Sequence, residues 1–165
     1  MEIRNAAHED AEAICAIYNE GIEGRQATFE TRPRTTREVL GWLDAGMPLV
    51  VAVDGGSVIG FARVDRYSER AAYAGVGEHA VYVEPAARRH GVGTQLLEAL
   101  AAASEAAGYY KLTSRVFTTN DGSRAVHRTA GFYEVGVQPR HGRLDGEWKD
   151  CILVERLLGD AAQPA

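Results

Sequence analysis

Long apolar runs are what this 165-residue sequence most clearly lacks. None approaches the roughly 20 residues that a membrane-spanning helix needs, and no secretory leader is recognisable at its start. Cysteine is scarce: Cys15 and Cys151 stand far apart and outside any metal-binding motif. The expectation is two reduced thiols in a cytoplasmic protein, with no disulfide and no metal. A basic excess is also missing. The chain has 18 Lys and Arg against 23 Asp and Glu, a net charge of −5, which argues against a general nucleic-acid binder. No internal repeat is apparent. Neither Gly-Lys-Ser/Thr nor Gly-x-Gly-x-x-Gly occurs, so the two commonest nucleotide-binding fingerprints are excluded. The length suits one domain with a substantial core, expected over residues 1–158, with a flexible tail over 159–165.

What is present centres on residues 80–107. Ala80 to Val83 is short, apolar and β-branched, and reads as a buried strand. Pro85 ends it, having no N–H for a sheet. A basic turn follows, Arg88-Arg89-His90-Gly91-Val92-Gly93-Thr94. Val92, Leu96, Leu97, Leu100 and Ala103 then recur at helical spacing, and Gly108 is a C-terminal cap. The first turn of a helix has unpartnered N–H groups at its electropositive end. Glycines let a ligand approach that backbone, and paired arginines add forked cationic donors. The turn therefore suits a diphosphate-like anion. An ordinary helix start with solvated arginines is the plain alternative.

Around this centre, Glu2 to Asn5 reads as a strand and Asp10 to Glu20 as a helix, broken by Gly21 and Gly24. Gly24 to Pro33 is a loop. Thr35 to Glu38 fits a capping box for a second helix, ended by Gly46 and Pro48. Leu49 to Val53 and Val58 to Val64 form a hairpin about Asp54-Gly55-Gly56. A polar, glycine-containing stretch, 65–78, leads to Ala80. Tyr110 to Phe117 reads as a strand, Gly122 to Ala130 as a short helix, and Tyr133 to Gln138 and Lys149 to Leu157 as closing strands separated by a loop. The order predicts an α/β fold with a mixed sheet flanked by helices.

The turn Arg88-Arg89-His90-Gly91-Val92-Gly93-Thr94 resembles the Arg/Gln-x-x-Gly-x-Gly/Ala signature of GNAT acetyltransferases. Ala27-Thr28-Phe29-Glu30-Thr31, Arg70-Ala71-Ala72-Tyr73, Glu78 ahead of Val81-Tyr82-Val83, and His127 ahead of Gly131-Phe132 resemble the phosphinothricin N-acetyltransferases within that family. The resemblance spans nearly the whole chain. It implies a single-domain GNAT fold with a splayed sheet, acetyl-CoA as cosubstrate, and often a homodimer. It also implies acetyl transfer to the α-amino group of a glutamate analogue such as phosphinothricin, methionine sulfoximine or arsinothricin. Two departures fall on the substrate side: Arg32 stands where relatives carry an acidic or small residue, and Gly75-Val76-Gly77 is richer in glycine than usual.

Such a transfer sets chemical requirements. An alkylammonium must lose a proton before it can attack. Glu78 is the candidate base, since a carboxylate in a partly enclosed site can be tuned toward that task; a surface glutamate in a loop is the alternative. If the sheet splays, backbone N–H groups of Val81, Tyr82 and Val83 could hold the oxyanion; the resemblance implies that this strand also pairs with the pantetheine arm. Residues 88 to 94 would grip the diphosphate. Asn120 and Ser123 cap a helix; the resemblance implies contact with the pantetheine arm for Asn120 and places Ser123 with it on the cofactor side. His127, or more weakly Tyr133, could protonate the leaving thiolate. Arg70 and Arg32 would hold the acceptor's oxyanions, with Glu30 beside them and Phe29 and Tyr73 as walls. A different amine acceptor (a protein N-terminus or a polyamine) and a non-catalytic acyl-CoA-binding module are the competing readings.

Overall fold

Proline and glycine punctuation and the two hydrophobic periods place eleven main elements along the chain. In order they are β1 (Glu2–Asn5), α1 (Ala11–Glu23), α2 (Thr36–Asp44), β2 (Leu49–Asp54), β3 (Ser57–Arg66), β4 (Val76–Val83), α3 (Val92–Ala106), β5 (Lys111–Phe117), α4 (Asp121–Thr129), β6 (Tyr133–Leu144) and β7 (Glu147–Leu157). The computed structural model describes residues 1–164. The order is the one read from the sequence.

The strands make one seven-stranded mixed sheet, β1-β2-β3-β4-β5-β7-β6. Only the β4–β5 pair is parallel, and it is short. Val76, Gly77 and Glu78 pair with Lys111, Leu112 and Thr113, and pairing then stops. Beyond that rung β4 stays with β3, and β5 stays with β7. The sheet therefore opens as a V with Glu78 at its apex.

Helices cover both faces. Leu96, Leu97 and Leu100 of α3 bury completely against Ala62, Val64 and Leu112. On the other face, Ile14, Ile17 and Tyr18 of α1 meet Val51, Phe61 and Tyr82. The capping box at Thr35 forms as read: Glu38 N–H donates to Thr35 Oγ1 at 3.2 Å, and Thr35 N–H to Glu38 Oε2 at 2.8 Å. Gly108 has φ +95. Gly108 N–H reaches Glu105 O and Tyr109 N–H reaches Ser104 O, a Schellman close to α3.

Three boundaries differ from the reading. Helix α1 runs through Gly21 to Glu23, because Gly21 is there for space: a Cβ would lie 2.6 Å from the Tyr82 ring. Strand β4 starts at Val76, so Glu78 lies in a strand and not in a loop. The closing strands meet in a two-residue Asp145-Gly146 turn, with φ +51 and +81, in place of a long loop. The stretch expected as a tail starts with a 3₁₀ turn, Gly159–Ala162. Ala165 lies outside the described residues.

The start of α1 is anchored by an enclosed ion pair. Arg4 Nη1 and Nη2 donate to the two Asp10 oxygens at 2.8 and 3.0 Å, and Ala7 N–H adds a third bond at 2.8 Å. The Arg4 bond and this N–H hold the Asp10 carboxyl below its ordinary pKa, against the opposing pull of burial. Asp10→Ala should cost about 2–3 kcal/mol in denaturant unfolding. That is below the 3–5 kcal/mol of a fully buried pair, because Arg4 remains partly in water.

Candidate active site

The V between β4 and β5 is the mouth of a cavity of about 820 Å³. Its walls are the free half of β4, the basic turn, β5 and the start of α4. In β4, Glu84 N–H bonds to Ile59 O at 2.9 Å. By antiparallel alternation, the main-chain groups of Tyr82 and Ala80 turn to β3, and those of Val81 and Val83 turn to the gap. Arg88 Nε uses one of them, donating to Val83 O at 3.1 Å.

The basic turn is shaped by two left-handed residues, Arg89 at φ +66 and Gly91 at φ +79. Gly91 is the N-cap of α3, and no side chain caps that helix. Its first-turn N–H groups are thus open to a ligand. Left-handed residues ahead of a helix start turn successive N–H groups toward one point, which is the shape an anion needs. Gly93 has a different job. A Cβ there would sit 3.1 Å from Val126 Cγ1, so glycine lets α3 and α4 close on each other. Arg88, Arg89, Gly91, Val92 and Gly93 line the cavity; His90 and Thr94 do not.

Asn120 caps α4: its Oδ1 accepts from Ser123 N–H at 3.1 Å. Its amide also donates to Gln26 O at 3.0 Å, bridging the cavity to the loop after α1. His127, one turn on, is buried. His127 Nδ1 lies 2.8 Å from Ser123 O, and a carbonyl only accepts, so Nδ1 carries the proton. His127 Nε2 lies 2.9 Å from His79 Nε2. With both rings neutral, His79 Nε2–H donates and His127 Nε2 accepts. Burial holds both pKa values down, His79 well below the ordinary 6.5; the nearby His127 adds to its shift. The Thr113 main chain opposes that shift for His79, but makes no bond of hydrogen-bonding geometry with the buried Nδ1. Among the described residues no three His, Cys, Asp or Glu side chains stand together as a metal site.

This pair makes stability acid-sensitive. Unfolded, each histidine takes up a proton as pH falls through about 6.5; folded, each does so only at lower pH. The unfolded chain binds more protons there, so the pair's contribution is complete above about pH 6.5 and declines below it. The slope is up to roughly 1.4 kcal/mol per pH unit per histidine. Thermal melts from pH 7.5 to 5.5 should fall, and His79→Gln should flatten the decline.

A second cavity of about 410 Å³ adjoins the first, sharing Ala27, Ala80, Tyr82, Ser114, Arg115 and Phe117 with it. Glu78 borders it, as do Phe29 and Glu30 from the loop after α1. Phe29 is held edge-on to Phe117, ring centroids 4.8 Å apart. Tyr82 is fixed below by Phe61, stacked at 5.4 Å, and Tyr18, edge-on at 5.1 Å. Burial pushes the Tyr82 hydroxyl pKa well up, so it stays neutral.

Besides His90 and Thr94, four residues singled out in the sequence stand outside both cavities. Arg32 pairs with Glu38 at 3.0 Å. Arg70 precedes a 3₁₀ turn, Ala71–Tyr73, and Tyr73 packs on Tyr67. The Tyr133 hydroxyl lies 3.4 Å from Glu155. Conversely, His79, Arg63 and Asp65 border the second cavity and were not read as site residues. Arg63 and Asp65 share a face with Glu78, and the His79 side chain lies on the other face against His127. Asp65 and His79 fell in or beside the stretch read as a loop, and nothing in the sequence says that β4 adjoins a gap.

Comparison with known proteins agrees with this geometry. The acetyltransferase (GNAT) family model matches residues 12–132. A phosphinothricin N-acetyltransferase of Alcaligenes faecalis is 34% identical, covering 98% of this chain and 86% of its own. An L-methionine sulfoximine/L-methionine sulfone acetyltransferase of Pseudomonas paraeruginosa is 32% identical over 94% of each chain. The structure of a GNAT superfamily phosphinothricin acetyltransferase from Sinorhizobium meliloti, in complex with AcCoA, superposes with a TM-score of 0.89 at 32% identity. That match covers 99% of this chain and 92% of the other. With a split sheet, a basic turn at an uncapped helix start and a matching family model, the chain belongs to the GNAT acetyltransferases.

Proposed function

We propose that this protein transfers acetyl from acetyl-CoA to the α-amino group of a glutamate analogue of the phosphinothricin, methionine sulfoximine or arsinothricin type. The observation that carries the reading is the meeting of two cavities where β4 and β5 part, with Glu78 at the rung of parting. The larger cavity suits the cosubstrate. The open N–H groups around Gly91 take its diphosphate, and the gap-facing amides of β4 take its arm. The smaller cavity has a mixed lining, with Glu30, Asp65 and Glu78 against Arg63 and Arg115. That mixture suits a zwitterion better than a polyamine.

The reaction is direct. Glu78 takes a proton from the ammonium, itself or through water, and the amine attacks the thioester carbonyl. Gap-facing N–H groups of β4 stabilise the oxyanion. The C–S bond then breaks and the thiolate leaves. Of the two proton donors considered, His127 borders the larger cavity and Tyr133 does not. His127 carries its proton on Nδ1, bonded to Ser123 O, and has none on Nε2 to give. It can serve the thiolate only by first taking up at Nε2, with the bond from His79 opened, the second proton that the amine sheds as the amide forms; otherwise a water molecule carries that proton across. The thiols are not nucleophiles here: Cys151 is buried, which raises its pKa. Cytoplasmic location and a homodimer accompany this reading, and no helix among the described residues is long and apolar enough to cross a membrane.

A thiol-release assay with acetyl-CoA tests the reading. Phosphinothricin, arsinothricin or methionine sulfoximine should support turnover, and spermidine should not. Turnover with spermidine or a peptide N-terminus alone would replace it with another amine acceptor. No turnover with any amine, despite acetyl-CoA binding, would favour a non-catalytic module.

A further inference from the structure

We infer that Arg63 is the residue that holds the acceptor's α-carboxylate, and so sets the preference for amino acids over simple amines. The inference rests on the function proposed above.

Arg63 lies in the interior of the sheet, on β3, opposite Ala80 of β4. Its side chain is only 16% exposed and borders the second cavity. Its guanidinium lies over the Trp42 ring, 4.0 Å from the centroid, which fixes the plane of the fork. Its one ion pair is with Asp65, 3.2 Å from Nη2. Asp65 is 56% exposed and directs Oδ1 to Arg66 N–H, so it compensates the buried cation weakly. A guanidinium carries five N–H groups, and this one has a single close acceptor. The others are not sealed in the core: among the described residues only His79 Nδ1 and Ser104 Oγ are buried without a partner. With Arg63 lining the second cavity, its free donors are within reach of a ligand there. A partly desolvated, pre-oriented, under-paired fork is what bidentate carboxylate recognition requires.

The register supplies the spacing. Asp65 faces Glu78 across the β3–β4 ladder, and Arg63 faces Ala80. Arg63 and Glu78 are thus diagonal neighbours on one face, roughly 7–8 Å apart at the backbone. An α-amino acid carries amine and carboxylate on one carbon. Placed between the two side chains, it presents its ammonium to Glu78 and its carboxylate to Arg63. Arg32 and Arg70 lie outside this cavity and cannot do the same without rearrangement.

The test compares methionine sulfoximine with its α-carboxamide as acceptors. Arg63→Met keeps a stem against Trp42 and removes the fork; Arg63→Lys keeps the charge alone. The KM for the amino acid should rise at least tenfold in Arg63→Met and by less in Arg63→Lys. The KM for the amide should stay within about twofold, and acetyl-CoA affinity should not change. Equal rises for both acceptors, or none for the amino acid, would overturn the assignment. A second readout does not need turnover. With Trp148→Phe leaving Trp42 as the sole tryptophan, methionine sulfoximine should quench or enhance its fluorescence saturably. Arg63→Met should abolish that response. A response absent from the protein with Arg63 intact, or unaltered by Arg63→Met, would overturn the inference. Failure of the wild-type protein to acetylate any amino acid, with this response intact, would overturn the proposed reaction and leave Arg63 as an anion site.

Discussion

Glu78→Gln should lower kcat/KM by roughly 10²–10⁴-fold, the usual contribution of a positioned general base, while acetyl-CoA binds as before. Glutamine matches glutamate in size and keeps a hydrogen-bonding end, but it cannot take up the ammonium proton. Glu78 is the last residue of β4 paired to β5. It borders the smaller cavity and stands apart from the turn assigned to the diphosphate. The loss should therefore appear in turnover and leave cosubstrate binding alone. Stopped-time thiol release and a calorimetric titration separate the two. A rate within about threefold of the parent would remove Glu78 as the base, and is what a non-catalytic acyl-CoA module predicts.

The second large effect is expected at Gly91. Its φ of +79 is left-handed, and a Cβ there would meet nothing closer than Gln95 Nε2 at 3.9 Å. Crowding is therefore absent and the backbone alone matters. A non-glycine residue in this conformation costs roughly 1–2 kcal/mol, and a β-branched one more. Gly91→Val should relieve that strain by rotating the peptide and turning its N–H away from the common point. The Kd for acetyl-CoA should rise at least about tenfold, which corresponds to 1.4 kcal/mol. Gly46 supplies the control. Its φ is +76 and it too is surrounded by open space, but it ends α2 away from the cavities. Gly46→Val should cost similar stability and leave the Kd unchanged.

These two residues also show what a sequence can and cannot reveal. The strand, basic turn and helix from 80 to 107 were legible because β-branching, Pro85, paired arginines and helical periodicity agree with one another. Glycine was the ambiguous letter. At Gly91 it marks a turn, as read, and the turn is left-handed. At Gly21 and Gly77 it marks close approach inside regular structure, where a Cβ would lie 2.6 Å from the Tyr82 ring and 2.5 Å from Val64 Cγ1. Read as a breaker, it cut α1 and β4 short and left Glu78 in a loop. Asp145-Gly146 is the reverse case: a short hairpin signal lay within a stretch too polar to be read as paired strands. The acceptor side was least legible. Phe29 and Glu30 stand on it, but Arg63 and the His79–His127 pair reach the site through the loss of pairing between β4 and β5. That event depends on two strands separated by α3, and no local pattern encodes it.

Hydrogen–deuterium exchange on the protein with and without acetyl-CoA tests the central claim most directly. The account predicts slowed exchange at two places together: the amides of residues 88–94, where the diphosphate would sit, and the gap-facing amides of Val81 and Val83, which have no strand partner until the cosubstrate supplies one. Saturable binding that protects other amides and leaves both of these unchanged would contradict it.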